Sequence, residues 1–371
     1  MQWKLYISVR FMFNGSHGGV INMEYRNLGG TNIKVSVLCL GTWEFAQNVA
    51  WGPGDLRRYR EVIDYALDMG INFIDTAEGY GKSEEILGEL LEGRRDDVVL
   101  ATKMSRVRSG FSYENMRRSL ERSLSRLKTD FIDLYQIHWP KIKGHWSGGE
   151  SGMEAKDYED IYDSLRRFKD EGLIGAGGVS NFRLHHLRNF RDEAFNLIVT
   201  DQVPLNLLWR EYDKPEMLEF CRRRGLRYLA YSSLAQGLLT GRYSRESSLT
   251  EIQRANVLFN EPIYSRAMKV LDVVKEVAEE VDATPSQVAL RWVLSHDLVV
   301  SAIVGTRNPD HLRENIEAVD LKLSRDQLDR LDEASSEFWK PMPSGVELWL
   351  HDNTRENLRR MGIQTDKGYE A

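Results

Sequence analysis

Short runs of β-branched and apolar residues alternate along this sequence with longer amphipathic stretches, and this alternation constrains the fold more than any other feature. It is typical of βα units arranged around a parallel sheet. The predicted strands cover residues 35–40, 72–75, 98–102, 131–137, 175–179, 198–201, 227–231 and 300–304. The predicted helices cover residues 56–69, 83–92, 113–127, 158–171, 184–193, 215–224, 263–281 and 309–319. Eight such units close an α/β barrel of the (β/α)8, or TIM, type.

The competing architecture is a doubly wound parallel sheet. Its dinucleotide-binding fingerprint, G-x-G-x-x-G after the first strand, is absent, and the glycines at 175, 177 and 178 do not match it. No linker rich in proline and glycine divides the repeats, so we predict a single barrel domain over residues 23–371. Residues 25–36 alternate around a Gly-Gly-Thr-Asn turn, which predicts an N-terminal β-hairpin that plugs the bottom of the barrel.

Residues 1–22 are predicted to be an extension that precedes the barrel. Their apolar stretch, residues 5–13, is interrupted by Arg10 and no small-residue cleavage site follows, so it makes a poor signal peptide and is far too short to span a membrane. The only cysteines, Cys39 and Cys221, show neither a CxxC pair nor a metal-ligand spacing. We therefore expect no disulfide, no metal site and a cytoplasmic protein.

Charged residues are interspersed along the chain. The 56 acidic residues outnumber the 50 basic ones, which gives a formal net charge of −6 without a basic block. This distribution does not predict the basic surface that nucleic-acid binding requires. Hydrophobic residues make up 42% of the 371 positions, enough for a sizeable core. The oligomeric state stays open.

Three segments exceed the usual connection length: residues 141–157, residues 239–262 and the tail beyond Ala334. Long loops at the C-terminal rim are where barrels carry their chemistry. Four polar side chains fall at or just past predicted strand ends, and strand ends converge at this rim. They are Asp75, Tyr80, Lys103 and His138.

These four side chains suit the polarisation of a carbonyl group. The Lys103 ammonium is expected to lower the pKa of the Tyr80 phenol from its ordinary value of about 10, while Asp75 holds the ammonium in place. His138 could orient a carbonyl group while a cofactor delivers a hydride. Each residue alone is more often structural, as a helix cap, a packing group or a solvated charge, so the prediction depends on their convergence.

Six motifs extend this set and carry a resemblance. They are FIDTAEGYGKSE at 73–84, ATK at 101–103, QIHWP at 136–140, GVSNF at 178–182, YSSLAQGLLTG at 231–241 and VGTRNPDHLREN at 304–315. In this order and at these distances they resemble the aldo-keto reductase family over about residues 23–334. That family is a (β/α)8 barrel that binds NADP(H) at the C-terminal rim without a Rossmann motif, which agrees with the missing fingerprint.

The resemblance implies which residues act. Tyr80 matches the family's general acid, and Lys103 and Asp75 match the pair that tunes it. His138 matches the residue that orients the substrate carbonyl. Two alternatives stay open: a lysine at a barrel strand end also serves Schiff-base aldolases as nucleophile, and some relatives keep the barrel and cofactor as potassium-channel subunits or redox sensors with little turnover.

The resemblance also implies a cofactor site. Ser180, Asn181 and Gln202 match positions that hydrogen-bond the nicotinamide carboxamide, and Tyr231 matches the aromatic residue that stacks on the nicotinamide ring. Ser232, Leu234 and Gly237 match a segment that wraps the pyrophosphate. The positions that match the pocket for the adenosine and its 2′-phosphate are Gly305, Thr306, Arg307, His311, Glu314 and Asn315. The other implied cofactor positions are Thr42, Trp43 and Leu239.

NADPH is the expected cofactor because a guanidinium such as that of Arg307 is well shaped to receive a phosphate. His311 departs from the glutamine or arginine that is usual near the 2′-phosphate. Aromatic residues predicted at the rim, namely Trp43, Trp139 and Trp209, suit aldehydes and ketones with apolar or ring-containing bodies. The predicted activity is the reversible, NADPH-dependent reduction of such a carbonyl compound to an alcohol.

Overall fold

A computed structural model describes residues 22–47, 52–105, 110–141, 152–244 and 247–342, together with Leu348, Glu356, Leu358, Arg359 and Gly362. The predicted extension at residues 1–22 lies outside the described residues except for Asn22. Most of the predicted long loop at residues 141–157 also lies outside them.

Eight parallel strands form a closed barrel. A two-stranded antiparallel hairpin, β1 (Tyr25–Asn27) and β2 (Lys34–Ser36), precedes it. The barrel strands are β3 (Leu38–Gly41), β4 (Phe73–Asp75), β5 (Val99–Met104), β6 (Ile132–Ile137), β7 (Ile174–Ser180), β8 (Ile198–Pro204), β9 (Arg227–Tyr231) and β10 (Val299–Gly305). Each strand pairs with the next, and β10 returns to β3. The predicted (β/α)8 fold is confirmed.

Eleven helices occur in the described part of the chain. They are α1 (Leu56–Asp68), α2 (Ser83–Leu90), α3 (Tyr113–Arg126), α4 (Ala155–Asp170), α5 (Leu184–Leu187), α6 (Pro215–Arg224), α7 (Glu251–Ala255), α8 (Ile263–Glu280), α9 (Pro285–Leu294), α10 (Pro309–Glu317) and α11 (Arg325–Trp339). Their apolar faces and the outward side chains of the strands form one large buried cluster. A second cluster fills the barrel interior and includes Cys39, Phe73, Leu134 and Leu229.

The hairpin closes the N-terminal end of the barrel, as its sequence predicts. Leu28 is fully buried within the interior cluster. Arg26 Nη1 donates to the Val299 carbonyl oxygen at 2.6 Å, which fixes the hairpin to β10. Gly29 has φ +56°, and a β-carbon there would lie 2.7 Å from Val199 Cβ, so the turn needs glycine both for its conformation and for its close approach.

The main differences from the predicted elements are helices that periodicity does not reveal. Thr284 is the N-cap of helix α9. Its side chain accepts a hydrogen bond from the Gln287 backbone N–H, and Pro285 occupies the first turn of the helix. It was missed because it is buried on almost every side and lacks a polar face. The predicted tail beyond Ala334 continues α11 as far as Trp339. The predicted loop at residues 239–262 contains α7 and a 3₁₀ turn at Val257–Phe259.

The fifth predicted helix, over residues 184–193, is much shorter in the structure than predicted. The chain forms the single-turn α5 and then a 3₁₀ helix at Asp192–Asn196. Among the described residues, no helix is long and apolar enough to cross a membrane.

Candidate active site

Three neighbouring strands bring the four predicted polar residues to the C-terminal rim. Asp75 ends β4, and Tyr80 lies in the loop that follows it. Lys103 lies near the end of β5, and His138 follows β6 directly. In the barrel β4 pairs with β5 and β5 with β6, so residues far apart in sequence become neighbours.

The Lys103 ammonium is the centre of the group. It is fully buried and donates to Asp75 Oδ2 at 2.6 Å, to the Thr76 carbonyl oxygen at 2.8 Å and to Tyr80 Oη at 3.3 Å. An ammonium has three protons, and three partners receive them. Burial alone lowers the pKa of Lys103, but Asp75 and Tyr80 more than offset this effect, so the net pKa is raised. The lysine is therefore charged, which a Schiff-base nucleophile must not be.

Two amides complete the environment of Asp75. Gln202 Nε2 donates to Asp75 Oδ1 at 2.9 Å, and Gln136 Nε2 donates to the same oxygen at 3.3 Å. Both side chains are buried inside the barrel mouth. A buried carboxylate with donors at both oxygens cannot rotate freely, so it holds the Lys103 ammonium in position.

Tyr80 is surrounded by aromatic rings. Its ring meets His138 edge-on at a centroid distance of 5.5 Å, and Trp43 lies 6.2 Å away. Burial raises the pKa of the Tyr80 phenol, and Lys103 opposes this rise without cancelling it. The expected lowering of this pKa is therefore wrong as a net effect, because the sequence does not reveal how strongly the phenol is desolvated.

The predicted nicotinamide residues form one hydrogen-bonded chain beside Tyr80. Tyr231 Oη donates to Asn181 Oδ1 at 2.8 Å, and Asn181 Nδ2 donates to Ser180 Oγ at 3.0 Å and to the His138 carbonyl oxygen at 3.1 Å. Ser180 Oγ donates to the Gln202 carbonyl oxygen at 2.7 Å. Asn181 has φ +66°, a conformation that asparagine tolerates better than most residues. The network fixes these side chains at the rim.

The loop after β9 has an irregular backbone. Ser232 has φ +51°, and Gly237, within the 3₁₀ segment at Ala235–Thr240, has φ +91°. Leu239 is fully buried, whereas Leu234 is only partly covered. Beyond β10, which lies between β9 and β3, the buried Thr42 donates its hydroxyl to the Asp75 carbonyl oxygen at 2.9 Å. Thr42 and Leu239 therefore support the rim with their side chains.

The predicted adenosine residues lie on β10, on the turn that follows it and on α10. Gly305 and His311 are exposed, Arg307 is half-buried, and the predicted pair Thr306 and Asn315 is buried. Asn308 caps α10 by accepting from the Asp310 backbone N–H, which leaves the positive end of that helix at the rim.

Glu314 on α10 forms an ion pair with Arg242 from the loop after β9. Burial and Arg242 lower the pKa of the nearby His311. The ion pair joins the two segments between which the adenosine is predicted to bind.

The predicted aromatic pocket residues differ in exposure. Trp43 and Trp139 are partly exposed at the rim, and the Trp139 ring lies 6.3 Å from that of His138. Trp209 is 2% exposed and packs edge-on against Trp339 of α11 at 5.1 Å. Trp209 thus joins the C-terminal helix to the rim rather than presenting a broad face to solvent.

Two residues at the rim were not predicted from the sequence as site residues. Gln136 stands two residues before His138, so the period-two pattern of β6 could have revealed that both side chains face inward. Glu44 follows the predicted cofactor residue Trp43, yet nothing in the sequence marks its carboxylate as part of the rim. The structure places it over Gly305, where a β-carbon would overlap its oxygens.

Comparison with known proteins agrees with this geometry. The profile of the Aldo/keto reductase family matches residues 37–336. An uncharacterized oxidoreductase of Mycobacterium tuberculosis is 35% identical over 91% of this chain and 100% of its own length. The NADH-specific methylglyoxal reductase of Escherichia coli is 31% identical over 80% of this chain and 94% of its own length. The structure of a Gluconobacter oxydans glycerol dehydrogenase superposes with a TM-score of 0.72 at 28% identity, covering 85% of this chain and 95% of that one.

The closed (β/α)8 barrel brings a buried lysine, a tyrosine and a carboxylate together at its C-terminal rim. This combination of fold and site places the protein among the barrel oxidoreductases. Within that class, this chain belongs to the aldo/keto reductase family. Members of this family generally use a nicotinamide cofactor.

Proposed function

We propose that the protein catalyses the reversible, NADPH-dependent reduction of an aldehyde or ketone to an alcohol, with Tyr80 as the proton donor. The observation that carries the proposal is the hydrogen bond from the buried Lys103 ammonium to Tyr80 Oη. A phenol whose oxygen faces a fixed positive charge can release a proton, because the phenolate that remains is stabilised where it forms.

The residues at the rim fit a dinucleotide. Asn181 and Ser180 offer amide and hydroxyl groups at the position for a carboxamide, and Tyr231 offers a ring beside them. Gly305 presents backbone without a side chain, and Arg307 offers a guanidinium for a phosphate. When bound, the nicotinamide supplies the hydride for the carbonyl carbon.

The protein's own groups handle the proton. His138 and Tyr80 hold the carbonyl oxygen between them, and Tyr80 transfers its phenolic proton to that oxygen as the carbon receives the hydride. Lys103 stabilises the phenolate until a proton from solvent restores it, and Asp75 keeps the lysine charged. Trp43 and Trp139 shield the reacting atoms from water and favour substrates with apolar bodies.

The first test is a fluorescence titration of the purified protein with NADPH and NADH, followed by a reduction assay with a simple aromatic aldehyde. We expect tighter binding of NADPH and oxidation of NADPH that depends on the aldehyde. Binding without turnover on a broad carbonyl panel would favour a redox-sensing or regulatory subunit. Failure to bind either cofactor would contradict the proposed function.

The Arg307→Ala variant is expected to weaken NADPH binding by roughly 10- to 100-fold, because charge-assisted hydrogen bonds to the 2′-phosphate are lost. NADH lacks that phosphate, so its affinity should change far less. Dissociation constants for both cofactors on both proteins provide the measurement. An equal loss for NADPH and NADH would show that Arg307 does not recognise the 2′-phosphate.

A further inference from the structure

The carboxylate of Glu44 occupies an unusual place at the rim. Glu44 lies in the short 3₁₀ helix Trp43–Phe45 that follows β3. Its side chain crosses to β10 and rests on the backbone of Gly305, so closely that a β-carbon on this glycine would overlap both carboxylate oxygens. Strands β3 and β10 are the first and last of the barrel, and Gly41 pairs with Gly305 where they meet. Glu44 therefore covers this seam.

Three elements place charged or titratable groups around Glu44. The Arg307 guanidinium, in the turn after β10, favours the charged carboxylate. The Tyr80 phenol faces it from the loop after β4, and the carboxylate raises the pKa of that phenol. Tyr59 of α1 donates its hydroxyl to the Glu44 backbone carbonyl oxygen at 3.4 Å. Arg307 is thus the cation that acts on this carboxylate from the rim.

This position conflicts with a bound dinucleotide. Gly305 and Arg307 belong to the proposed site for the adenosine and its 2′-phosphate, and Glu44 lies over the first and interacts with the second. A carboxylate and a phosphate in one partly buried site repel each other strongly, because little water remains to screen them. The cofactor must either displace the carboxylate or bind when the carboxyl group is neutral.

We infer that Glu44 is a specificity-determining residue that competes with the 2′-phosphate of the cofactor for Arg307 and couples the binding of NADP(H) to the uptake of one proton. The inference rests on the proposed function, since it concerns the same cofactor site. When NADP(H) binds, the Glu44 carboxylate accepts a proton from solution and becomes a neutral carboxyl group, which can stay beside a phosphate.

The sign of the pH dependence follows. Burial raises the pKa of Glu44 to about 7, against a smaller lowering by its backbone hydrogen bond and by Arg307. A nearby phosphate raises that pKa further. Affinity should therefore be greatest below about pH 7 and fall as the pH rises above it, because the free protein then holds a carboxylate that must be protonated on binding.

The test compares the wild-type protein with Glu44→Gln, which keeps the shape and removes the charge. NADP⁺ and NAD⁺ are titrated against intrinsic fluorescence from pH 6 to pH 8.5, since the oxidised cofactors withstand acid. For the wild type we expect NADP⁺ affinity to fall on the order of tenfold over this range and NAD⁺ affinity to change far less, because NAD⁺ lacks the 2′-phosphate that Arg307 is proposed to bind. Glu44→Gln should bind NADP⁺ more tightly at pH 8.5 and show a much flatter profile.

Two comparisons isolate the effect. His311 also titrates near the proposed phosphate site, but it is present in both proteins, so the difference between their profiles belongs to Glu44. Glu219→Gln, on the exposed surface of α6, removes the same charge far from the rim and should reproduce the wild-type profile. Thermal melting of each variant verifies folding, and Glu44→Ala replaces Glu44→Gln if the latter is unstable.

The outcomes separate the two proposals. Identical pH profiles for the wild type and the Glu44 variant would overturn the inference while leaving the reductase proposal intact. Weaker NAD⁺ binding by the variant would also overturn it, because Glu44 would then be a ligand of the ribose hydroxyls. If the wild type binds neither cofactor at any pH, the proposed function fails and the inference fails with it.

Discussion

The Tyr80→Phe variant should lose nearly all carbonyl reduction, on the order of 10²- to 10⁴-fold in turnover, while still binding NADPH. Phenylalanine retains the ring that packs against His138 and Trp43 and removes only the phenolic oxygen. Lys103 then loses one of three hydrogen-bond partners but keeps Asp75 and the Thr76 carbonyl oxygen. The proton donor is lost while the cofactor residues stay in place.

The measurement is NADPH oxidation with an aromatic aldehyde, paired with a fluorescence titration of NADPH. Tyr162→Phe is a suitable control because Tyr162 lies on α4, where it packs against the outer core away from the rim. It should leave turnover close to that of the wild type. If Tyr80→Phe retained most of its turnover, another group would have to supply the proton and the assignment of Tyr80 would be wrong.

The barrel was predictable because each of its strands is a short apolar run. The predicted strand at 227–231 matches β9 at both ends. Others end later than predicted: β7 continues to Ser180 and β8 to Pro204, beyond the apolar residues. These extensions carry Ser180 and Gln202, whose polarity hides their strand conformation. Apolar periodicity marks the core of an element, whereas tertiary pairing decides its functional end.

The four polar residues at the rim were predictable for a different reason, because the C-terminal ends of parallel strands meet at one rim of a closed barrel. The amides of Gln136 and Gln202 that bind Asp75 could not be assigned in the same way. Their contact spans the barrel mouth and depends on closure and strand register. Burial likewise sets the pKa of Tyr80, and the degree of burial is a property of the assembled fold.

Replacement of Lys103 by methionine should affect both stability and activity. The free energy of unfolding is expected to fall by about 3–5 kcal/mol, since removal of one partner of a buried ion pair leaves the other charge uncompensated. Asp75 is 2% exposed, and Lys103 is the donor to its Oδ2 oxygen, so the two glutamine amides on Oδ1 cannot replace the lost charge. Turnover should also be lost, because no cation stabilises the Tyr80 phenolate.

A double variant separates these two consequences. In Lys103→Met with Asp75→Asn, no buried charge remains, so much of the lost stability should return while turnover stays absent. Urea denaturation and NADPH oxidation measure the two properties independently. If Lys103→Met unfolded at the wild-type urea concentration, the ion pair would not stabilise the barrel. If the double variant regained activity, charge on Lys103 would be unnecessary for proton transfer. If stability returns in the double variant while turnover stays absent, the charge on Lys103 is needed for its action on Tyr80 and not for the stability of the fold.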